Sequence, residues 1–509
     1  MHMGPLYFSG WGKMTTQTLN VIFDGSTDVA RLPGQSSESW NNGSIGYYNV
    51  YYTAPNPGDD LDATANFTGS GWRVKTLRIA GDDNLTTIRD LNNGADRRID
   101  FLELGFNSDV ELISTRARFI FGWDGDRHEV KLGNQQNGNT SFIGLYAKEN
   151  IVTTGNVWVT TIDTGGDAAT AIGDTIKIGN GGAGSVNTGQ GDDTVTTTGG
   201  FVRSIATNDG NDTVKTGTNF VHSIAVGAGN DVVRTGSAGG NSIDTYLGND
   251  KVYTSGGFIA SITTGAGKDL VKLGAGGAGS IDTGDDNDRV IVSTGSVDLI
   301  ETGSGNDTVI LGKGGAGLIR ARDGDDTIIV KEQDGNAVVT VQGGNGNDTL
   351  SFKPFKTGVT FSLDEFGQVQ NVSGKSPTDL TPAKGWFGEI GIENLIGGNK
   401  NDKLTGDDNA NKLTGNKGND TLIGLGGNDL MRGNAGADVF VFGANGGTDT
   451  VADFQDGTDI LRIGGHSGGF SSLDISKASG DMIIEYDGGT IILDGAAQAN
   501  LTKADFDFI

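Results

Sequence analysis

The sequence predicts an all-β protein whose central part is a parallel β-solenoid, of the β-roll or β-helix type, with acidic turns. Two observations predict this fold: an aspartate returns every 19 residues from Asp174 to Asp326, and an apolar residue stands two positions after each of them. A fixed short period is typical of repeat architectures, in which each unit stacks only on its neighbours. The apolar column comprises Val195, Val214, Val233, Val252, Val271, Val290, Val309 and Ile328.

A second apolar column follows the first by ten residues within each repeat. The residues beside both columns are mixed, which is the period-two alternation of half-buried strands. Each repeat is therefore predicted to form one coil of two short strands and two turns. The second column comprises Val186, Ile205, Ile224, Ile243, Ile262, Ile281, Ile300 and Ile319.

The two turns of a coil differ in charge. One turn carries Gly-x-Gly-Asn-Asp or a close variant, whereas the other is rich in glycine and has no acid, as in residues 181–184, 255–257 and 274–277. We therefore expect cations to bind along one edge of these coils only.

After residue 396 the period falls to nine residues, with Asp402, Asn411, Asp420, Asp429 and Asp438 in sequence. An apolar residue again follows each by two positions. A nine-residue repeat is half a coil, so this part is predicted to carry an acidic turn on both edges. The apolar residues are Leu404, Leu413, Leu422, Met431 and Phe440.

Period and composition divide the chain into six predicted segments. Residues 1–74 are rich in Trp and Tyr and have no repeat, which favours a β-rich cap or attachment region that protects the exposed strand edge. Residues 482–486 and 490–493 alternate like an antiparallel sheet. The other segments are irregular solenoid coils (75–173), the regular 19-residue solenoid (174–350), a connector (351–396), the nine-residue β-roll (397–441) and a C-terminal domain (442–509).

The composition points to metal as a source of stability. The chain has 87 Gly among 509 residues, and glycine loses the most backbone entropy on folding. It has no Cys and a formal charge of -27, so the expected ligands are oxygen atoms and the expected ion is a hard cation such as Ca²⁺. This charge disfavours nucleic acid and anionic membranes as partners. No run approaches the roughly 20 apolar residues of a membrane span, and we expect no cleaved signal peptide.

The acidic turns are the predicted calcium sites. Carboxylates stacked about 4.8 Å apart repel each other by roughly 0.9 kcal/mol per pair in water, and a divalent ion between the coils reverses the sign. Turn carbonyls are expected to add further oxygen ligands. The predicted carboxylate ligands are Asp174, Asp193, Asp212, Asp231, Asp250, Asp269, Asp288, Asp307, Asp326, Asp348, Asp402, Asp420, Asp429 and Asp438. The predicted carbonyl ligands belong to Gly189, Gly191, Gly227, Gly229, Gly265, Gly267, Gly303, Gly305, Gly415, Gly418, Gly424 and Gly427.

The nine-residue repeats resemble the RTX (repeats-in-toxin) unit, Gly-Gly-x-Gly-x-Asp-x-apolar-x. Residues 415–423 match it at all but one position, and Lys400, Asn409 and Asn411 depart from it. The block 437–454 resembles the C-terminal region of serralysin-like proteins, and the acidic, aromatic end resembles an uncleaved type I secretion signal. The resemblance implies a calcium-binding β-roll exported from a Gram-negative cytoplasm and folded by extracellular calcium.

The 19-residue coils also resemble the calcium-dependent solenoid of a marine ice-binding adhesin, whose turns carry Gly-Thr-Gly-Asn-Asp. Here Gln190, Ala228, Leu247, Ala266 and Ser304 stand where that threonine would be. The flat threonine row that orders ice-like water is therefore not expected.

Three short motifs suggest catalysis and are better interpreted as structural. Residues 465–469 fit Gly-x-Ser-x-Gly but lie in a β-rich region rather than at a strand-to-helix turn. Residues 373–376 lack the leading glycine of a phosphate loop. Residues 123–129 bring together Asp124, Asp126, His128 and Glu129, which could supply acid and base chemistry on a sugar. We interpret them instead as a degenerate solenoid turn.

We predict a secreted, calcium-binding structural or cell-surface protein of surface-layer or matrix type, without catalytic residues. The alternatives are an adhesin or ice-binding module, and a polysaccharide-modifying enzyme with its activity in residues 1–150. Residues 73–131 hold 10 basic and 11 acidic residues, a net charge of -1 against -26 for the remainder. Lipopolysaccharide or another surface polysaccharide is therefore a candidate partner, as is self-assembly.

Overall fold

The structure, a computed structural model, describes the side chains of residues 99–104, 109–113, 117–123, 125–133, 139–165, 172–331, 340–363 and 391–509. Outside these ranges it describes only the backbone of the strands named below. Most of the predicted connector and the motif at 373–376 lie outside the described residues. The chain forms two compact units, residues 1–259 and 260–509.

The first unit consists of short strands. They are β1 (Thr16–Phe23), β2 (Asp28–Arg31), β3 (Glu38–Trp40), β4 (Tyr47–Thr53), β5 (Asp62–Gly69), β6 (Arg73–Ala80), β7 (Asn84–Asp90), β8 (Arg98–Leu104), β9 (Ser108–Ile113), β10 (Ala117–Gly122), β11 (Arg127–Leu132), β12 (Thr140–Leu145), β13 (Glu149–Thr154), β14 (Val159–Asp163), β15 (Thr175–Ile178), β16 (Ala183–Asn187), β17 (Thr194–Thr197), β18 (Val202–Ala206), β19 (Thr213–Lys215), β20 (Val221–Ala225), β21 (Val232–Arg234), β22 (Gly240–Asp244) and β23 (Lys251–Tyr253).

The strands of the first unit alternate between two parallel sheets, as a solenoid requires. Sheet A1 holds the odd-numbered strands from β5 to β23, and sheet B1 holds the even-numbered strands from β4 to β22. In A1 Val195 pairs with Val214, and in B1 Ile205 pairs with Ile224, so equivalent residues of successive coils are in register. Val195 and Val214 are 0% exposed. The two predicted apolar columns thus form the core between the sheets, and the predicted parallel β-solenoid is confirmed.

Parallel pairing also occurs upstream of the 19-residue period. Strand β5 pairs with β7 in A1, and β4 pairs with β6 in B1. The coils there are longer and irregular, since Val130 pairs with Val152 and Val152 pairs in turn with Ile176. The parallel ladder therefore runs across residue 74, where the sequence places the end of an N-terminal cap; that boundary stays a prediction.

The second unit is likewise built from short strands. They are β24 (Ile259–Thr263), which starts on the last residue of the first unit, β25 (Leu270–Leu273), β26 (Ala278–Asp282), β27 (Arg289–Val292), β28 (Val297–Ser304), β29 (Thr308–Leu311), β30 (Ala316–Asp323), β31 (Thr327–Val330), β32 (Thr340–Asn345), β33 (Thr349–Ser351), β34 (Val359–Ser362), β35 (Gln370–Asn371), β36 (Asn394–Ile396), β37 (Lys403–Thr405), β38 (Lys412–Lys417), β39 (Thr421–Ile423), β40 (Leu430–Ala435), β41 (Val439–Phe442), β42 (Gly447–Val451), β43 (Ile460–Ile463), β44 (Asp474–Ala478), β45 (Asp481–Tyr486), β46 (Gly489–Leu493) and β47 (Phe506–Phe508). Two 3-10 helices span Phe470–Ser472 and Lys503–Asp505.

In the nine-residue part of the second unit, successive repeats lie in different sheets. Sheet A2 contains β36, β38, β40 and β42, while sheet C2 contains β37, β39, β41 and β43. Leu404 therefore pairs with Leu422, two repeats later, and Leu413 pairs with Met431 in the other sheet. This arrangement confirms that two nine-residue repeats make one coil with an acidic turn on each edge.

The end of the chain joins the same sheets. Strands β45 and β46 pair antiparallel, as the alternation at 482–493 predicts, and β46 pairs parallel with β42. The last strand, β47, pairs parallel with β43 in sheet C2. The acidic, aromatic end is therefore a strand of the folded unit, and its role as a secretion signal stays a prediction.

Candidate metal centres

The aspartates of the acidic turns form a buried column along the edge of each solenoid segment. In the first unit the backbone N–H of Asp174 donates to Oδ1 of Asp193 at 2.6 Å, and Asp193 donates in the same way to Asp212 at 2.7 Å. The bond recurs from Asp212 to Asp231 and from Asp231 to Asp250. Every predicted aspartate ligand is at most 5% exposed. The 19-residue spacing thus brings one carboxylate per coil to the same place.

The second unit contains two such columns. Along sheet A2 the bond joins Asp269 to Asp288 and continues through Asp307 and Asp326 to Asp348, at 2.8 Å in each step. Along sheet C2 it joins Asp402 to Asp420 and Asp420 to Asp438, again at 2.8 Å. In the nine-residue repeats, the backbone N–H of Asn411 donates to Asp429 and that of Asp429 donates to Asp449 on the sheet A2 edge, so column positions occur on both edges.

Each column bond uses only one oxygen of the carboxylate. The other oxygen, Oδ2, is buried and has no hydrogen-bond partner among the described residues in ten of these aspartates. An unpaired buried acceptor costs about 1–3 kcal/mol, and more when it is charged. A hard cation removes this cost, so the donor set fits Ca²⁺. The ten are Asp193, Asp212, Asp231, Asp288, Asp307, Asp326, Asp348, Asp420, Asp429 and Asp438.

Without a cation, burial makes these carboxylates weak acids. The pKa of Asp193 and that of Asp288 are raised to about 8, mainly by burial and to a smaller extent by neighbouring aspartates of the column. Burial likewise raises the pKa of Asp420 to about 7 and that of Asp438 to about 6. At neutral pH a proton or a metal ion is therefore needed beside many of these oxygens.

The residue five positions before the aspartate differs between the two repeat types. In the nine-residue repeats it is glycine, and a Cβ on Gly415, Gly424 or Gly433 would collide with Oδ2 of the aspartate in its own turn. At Gly397 both Oδ2 of Asp402 and the carbonyl oxygen of Gly415 approach this same space. A carboxylate oxygen and a carbonyl oxygen thus converge in a space that only glycine leaves open.

In the 19-residue coils that position is usually a buried threonine. The hydroxyl of Thr207 donates to the carbonyl of Val226 in the next coil at 3.1 Å, and Thr283 donates likewise to Thr302. The two repeat types therefore place different groups beside the carboxylate. The 19-residue turns have a hydroxyl where the nine-residue turns have open space.

A second, exposed row runs beside the column, formed by the residue before each aspartate. Asn230 donates its backbone N–H to Oδ1 of Asn211 at 2.9 Å, and Asn249 donates likewise to Asn230 at 2.8 Å. These bonds point to the preceding coil, whereas the aspartate bonds point to the following one. Each junction between such coils is therefore held by two bonds of opposite direction.

Two of the glycine carbonyls predicted as ligands already accept a backbone hydrogen bond. The carbonyl of Gly265 accepts from Asp285 at 2.9 Å, and that of Gly227 accepts from Leu247 at 3.3 Å. Both carbonyls are paired because the turn backbone itself pairs between coils. A second lone pair remains on each oxygen. Their role as ligands stays a prediction.

The columns contain members that the fixed period does not reveal. The backbone N–H of Asp348 donates to Oε2 of Glu393 at 2.7 Å. Likewise, the backbone N–H of Asp429 donates to Oδ1 of Asp449 at 3.0 Å, and that of Asp438 donates to Oδ1 of Asp459 at 2.9 Å. Insertions before these residues break the spacing. The signal that identifies Asp449 and Asp459 is the buried apolar residue two positions later, Val451 and Leu461.

Asn411 occupies a column position with an amide in place of a carboxylate. Its Oδ1 accepts from the backbone N–H of Asp407 in its own turn at 2.7 Å, and its Nδ2 is buried without a partner among the described residues. Its own N–H still donates to Asp429 at 2.8 Å. This turn keeps the fold of the column but supplies one carboxylate fewer.

The cluster at 123–129 forms part of the solenoid. His128 is 0% exposed and pairs with Asn150. Asn150 in turn donates its backbone N–H to Asp174, so His128 and Asn150 hold the column position in the two coils before Asp174. Lys148 binds Asp126 at 2.7 Å, and Arg127 binds Glu129 at 2.5 Å. Asp124 lies outside the described residues. These contacts agree with the interpretation as a degenerate turn.

The motif at 465–469 does not form a nucleophile elbow. Ser467 donates its hydroxyl to Asp487, while His466 contacts Ser472 through Nε2 at 2.7 Å. Ser472 also lies 2.8 Å from the carbonyl of Gly469, and Nδ1 of His466 lies 3.3 Å from Oδ2 of Asp487. The serine beside the histidine is therefore Ser472 and not the serine of the Gly-x-Ser-x-Gly motif.

Conventional metal clusters and membrane helices are not found in the described part of the chain. No three His, Cys, Asp or Glu side chains gather there at one point, since the columns supply one carboxylate per coil. None of its helices is long and apolar enough to cross a membrane.

Parallel coils, glycine-lined turns and buried carboxylates without partners define a β-roll with cation-binding turns. The sequence profile of the RTX calcium-binding nonapeptide repeat matches four copies, at residues 339–352, 387–422, 405–440 and 414–451. These four repeats and the parallel β-solenoid together fit an RTX calcium-binding β-roll protein. The 19-residue coils before residue 339 lie outside the matched ranges.

Comparison with other sequences and structures adds little. A search of curated protein sequences gives no match. Among solved structures, the extracellular lipase LipA from Serratia marcescens is 21% identical, with 43% of this chain and 39% of the lipase chain covered and a TM-score of 0.18. The chain thus spans well under half of the lipase, and a likeness at this score bears on neither fold nor function.

Proposed function

We propose that the protein is a secreted structural protein, stiffened by calcium, that acts at the cell surface or in the extracellular matrix, as a surface layer does. The observation that carries the proposal is the column of buried carboxylates, ten of which have one oxygen without a partner in the described residues. Such a column is unstable without cations, and bound cations make it stable and rigid. Its regular extent suits a scaffold better than a reaction site.

The physical basis is the balance between repulsion and cation binding. Neighbouring carboxylates about 4.8 Å apart repel by roughly 0.9 kcal/mol at a dielectric constant of 80, and by about 3.5 kcal/mol at 20. Raised pKa values such as that of Asp193, about 8, reflect the cost of burying these charges. A chain of this kind stays unfolded where calcium is scarce and folds where calcium is abundant. This behaviour suits export in the unfolded state by a type I system from a Gram-negative cell.

The proposal is tested by locating the protein on the cells that make it. Intact cells grown with millimolar calcium are washed with EGTA or with buffer alone, and the protein is quantified in cells, wash and medium. We expect release by EGTA and return to the cells when calcium is added. A cytoplasmic marker enzyme controls for lysis. Retention in the cytoplasm, or a soluble pool in the medium that never associates with cells, would refute the surface role.

The calcium requirement has its own test on the purified chain. We expect circular dichroism to show little sheet after chelation and a full sheet signal once millimolar calcium is restored. A chelated chain with unchanged sheet content would contradict calcium as the stiffening agent.

A further inference from the structure

A row of basic side chains lies on the outer face of sheet A1, in a chain whose net charge is -27. The pairing of successive strands places the members of this basic row at one register position, directly above one another along the ladder. The basic members of this row, here called the basic row, are Lys131, Lys177, Lys215 and Arg234, and the same register position holds Thr153, Thr196 and Tyr253 in the other coils.

Three of the basic side chains are available to a partner. Lys177, Lys215 and Arg234 are exposed, and none forms an ion pair within the described part of the chain. Lys131 differs, because it is paired with Glu129. The guanidinium of Arg234 lies 4.1 Å from the ring centre of Tyr253, which holds it against the sheet.

The outward strand positions beside the basic row hold no acid from β15 to β23. The neighbouring outward row, on the side of the acidic turns, comprises Thr175, Thr194, Thr213, Val232 and Lys251. The turns on the other side, at 198–201, 217–220, 236–239 and 255–258, contain no Asp or Glu. From β15 to β23 this face therefore carries four positive charges, no negative charge and a series of hydroxyl groups.

We propose that this face binds a linear acidic polysaccharide, laid along the ladder with its carboxylates on the basic row. Successive coils repeat at about 4.8 Å, so the charges form a line rather than a patch. A line suits a single extended chain, and the threonine hydroxyls suit the hydroxyls of sugars. This partner rests on the proposed extracellular role and supplies the attachment that role needs.

Two other polyanions fit the face less well. A flat anionic membrane would also meet the acidic turns that border the sheet, and like charges there oppose contact. Single-stranded nucleic acid is usually held by aromatic side chains on which bases stack. The aromatic residue of the row, Tyr253, is already covered by Arg234.

The test uses the full calcium-loaded chain and sodium polyglucuronate, with neutral dextran of similar length for comparison. Binding is measured by isothermal titration calorimetry at low and at physiological ionic strength. We expect saturable binding to polyglucuronate that weakens as salt rises, and none to dextran. Phosphatidylglycerol vesicles and single-stranded DNA are titrated in parallel.

A matched pair of triple variants assigns the binding to the basic row. Lys177→Gln with Lys215→Gln and Arg234→Gln should bind about tenfold more weakly, since the three exposed charges together contribute modestly to the affinity. Lys353→Gln with Lys403→Gln and Lys412→Gln removes the same charge from exposed lysines of the second unit and should bind like the unaltered chain. Circular dichroism in calcium confirms that both variants fold.

Three outcomes would overturn the inference: no saturable binding by the folded chain, equal binding by the two triple variants, or binding to vesicles or DNA as tight as to polyglucuronate. The proposed function fails in a different way, when the protein is absent from the cell surface although the purified chain binds polyglucuronate. The two proposals are therefore separable.

Discussion

The backbone N–H of Asp420 donates a 2.8 Å hydrogen bond to Oδ1 of Asp438, one coil further along the β-roll. The bond fixes the carboxylate of Asp438 and leaves its Oδ2 buried without a partner in the described residues. This junction therefore gains a bond between coils and carries the cost of an unpaired oxygen. The size of that cost depends on calcium and on pH, and both can be varied.

Replacement of Asp420 by Asn should weaken the calcium-bound protein. The amide retains an acceptor but removes a charged ligand, and hydrogen bonds or contacts of charged groups contribute about 1.5–3 kcal/mol. We expect the free energy of unfolding in calcium to fall by about 2 kcal/mol, measured by urea denaturation. The calcium concentration at which the chain folds, followed by circular dichroism, should also rise, because a charged ligand is lost. Asp474→Asn, at an exposed position, is the control; an unchanged free energy of unfolding and an unchanged calcium midpoint at Asp420 would contradict the prediction.

The reverse change is available at Asn411. Asn411→Asp completes the column between Glu393 and Asp429 and adds the carboxylate that this turn lacks. We expect tighter calcium binding and a higher Tm in calcium, because the added carboxylate is a charged ligand. Differential scanning calorimetry in calcium measures the Tm. A lower Tm in calcium would show that the turn cannot hold a cation.

The pH dependence of stability should reverse on removal of calcium. Burial raises the pKa of Asp193 to about 8, of Asp231 to about 7 and of Asp438 to about 6, from an ordinary 3.8. A raised pKa in the folded state stabilises the fold below the unfolded pKa, and this stability is lost as pH rises through the folded pKa. The metal-free chain should therefore be more stable at pH 5 than at pH 8.

In calcium the sign is opposite, because the ion binds the deprotonated carboxylate and protons compete with it. The sheet content of resin-treated protein at both pH values, measured by circular dichroism with and without calcium, separates the two cases. Greater stability of the metal-free chain at pH 8 than at pH 5 would contradict the assignment of these raised pKa values to the columns.

Leu425 stands at a backbone position that favours glycine, with φ of 76°. A left-handed conformation costs a non-glycine residue about 1–2 kcal/mol. Leu425→Gly should therefore raise the free energy of unfolding by about 1 kcal/mol, measured by urea denaturation in calcium. Gly427→Ala is the counterpart, since Gly427 also has a positive φ and a Cβ there would meet the backbone of Asn409. This variant should lose stability, and a gain at Gly427 would undermine the argument.

Sequence alone predicts the coils well, because two strong constraints coincide. The apolar residue two positions after each aspartate must be buried, and the fixed period of each segment places it in register with the next coil, as for Val195 and Val214. The direction of the aspartate side chain follows from these two facts. Column members such as Asp193 could therefore be named before their contacts were known.

Other members of the columns escape prediction for definite reasons. Glu393 is separated from Asp348 by 45 residues, and no period survives such an insertion. His128 and Asn150 take column positions without an acidic side chain, so a search for aspartate passes over them. The contrast between Thr207 and Gly415 five positions before the aspartate is visible in the sequence, yet its meaning depends on where the carboxylate oxygen lies.

The opposed bonds of neighbouring coils also determine which register the chain accepts. Asp212 donates forward to Asp231, and Asn230 donates back to Asn211, so each coil both offers and receives a bond at the same junction. A slip of one residue would break both bonds together and would turn the apolar columns toward solvent. Each completed coil thus acts as a template with which the next coil must form both hydrogen bonds. A misaligned coil loses both bonds at once, so the error is destabilised as soon as that single coil forms.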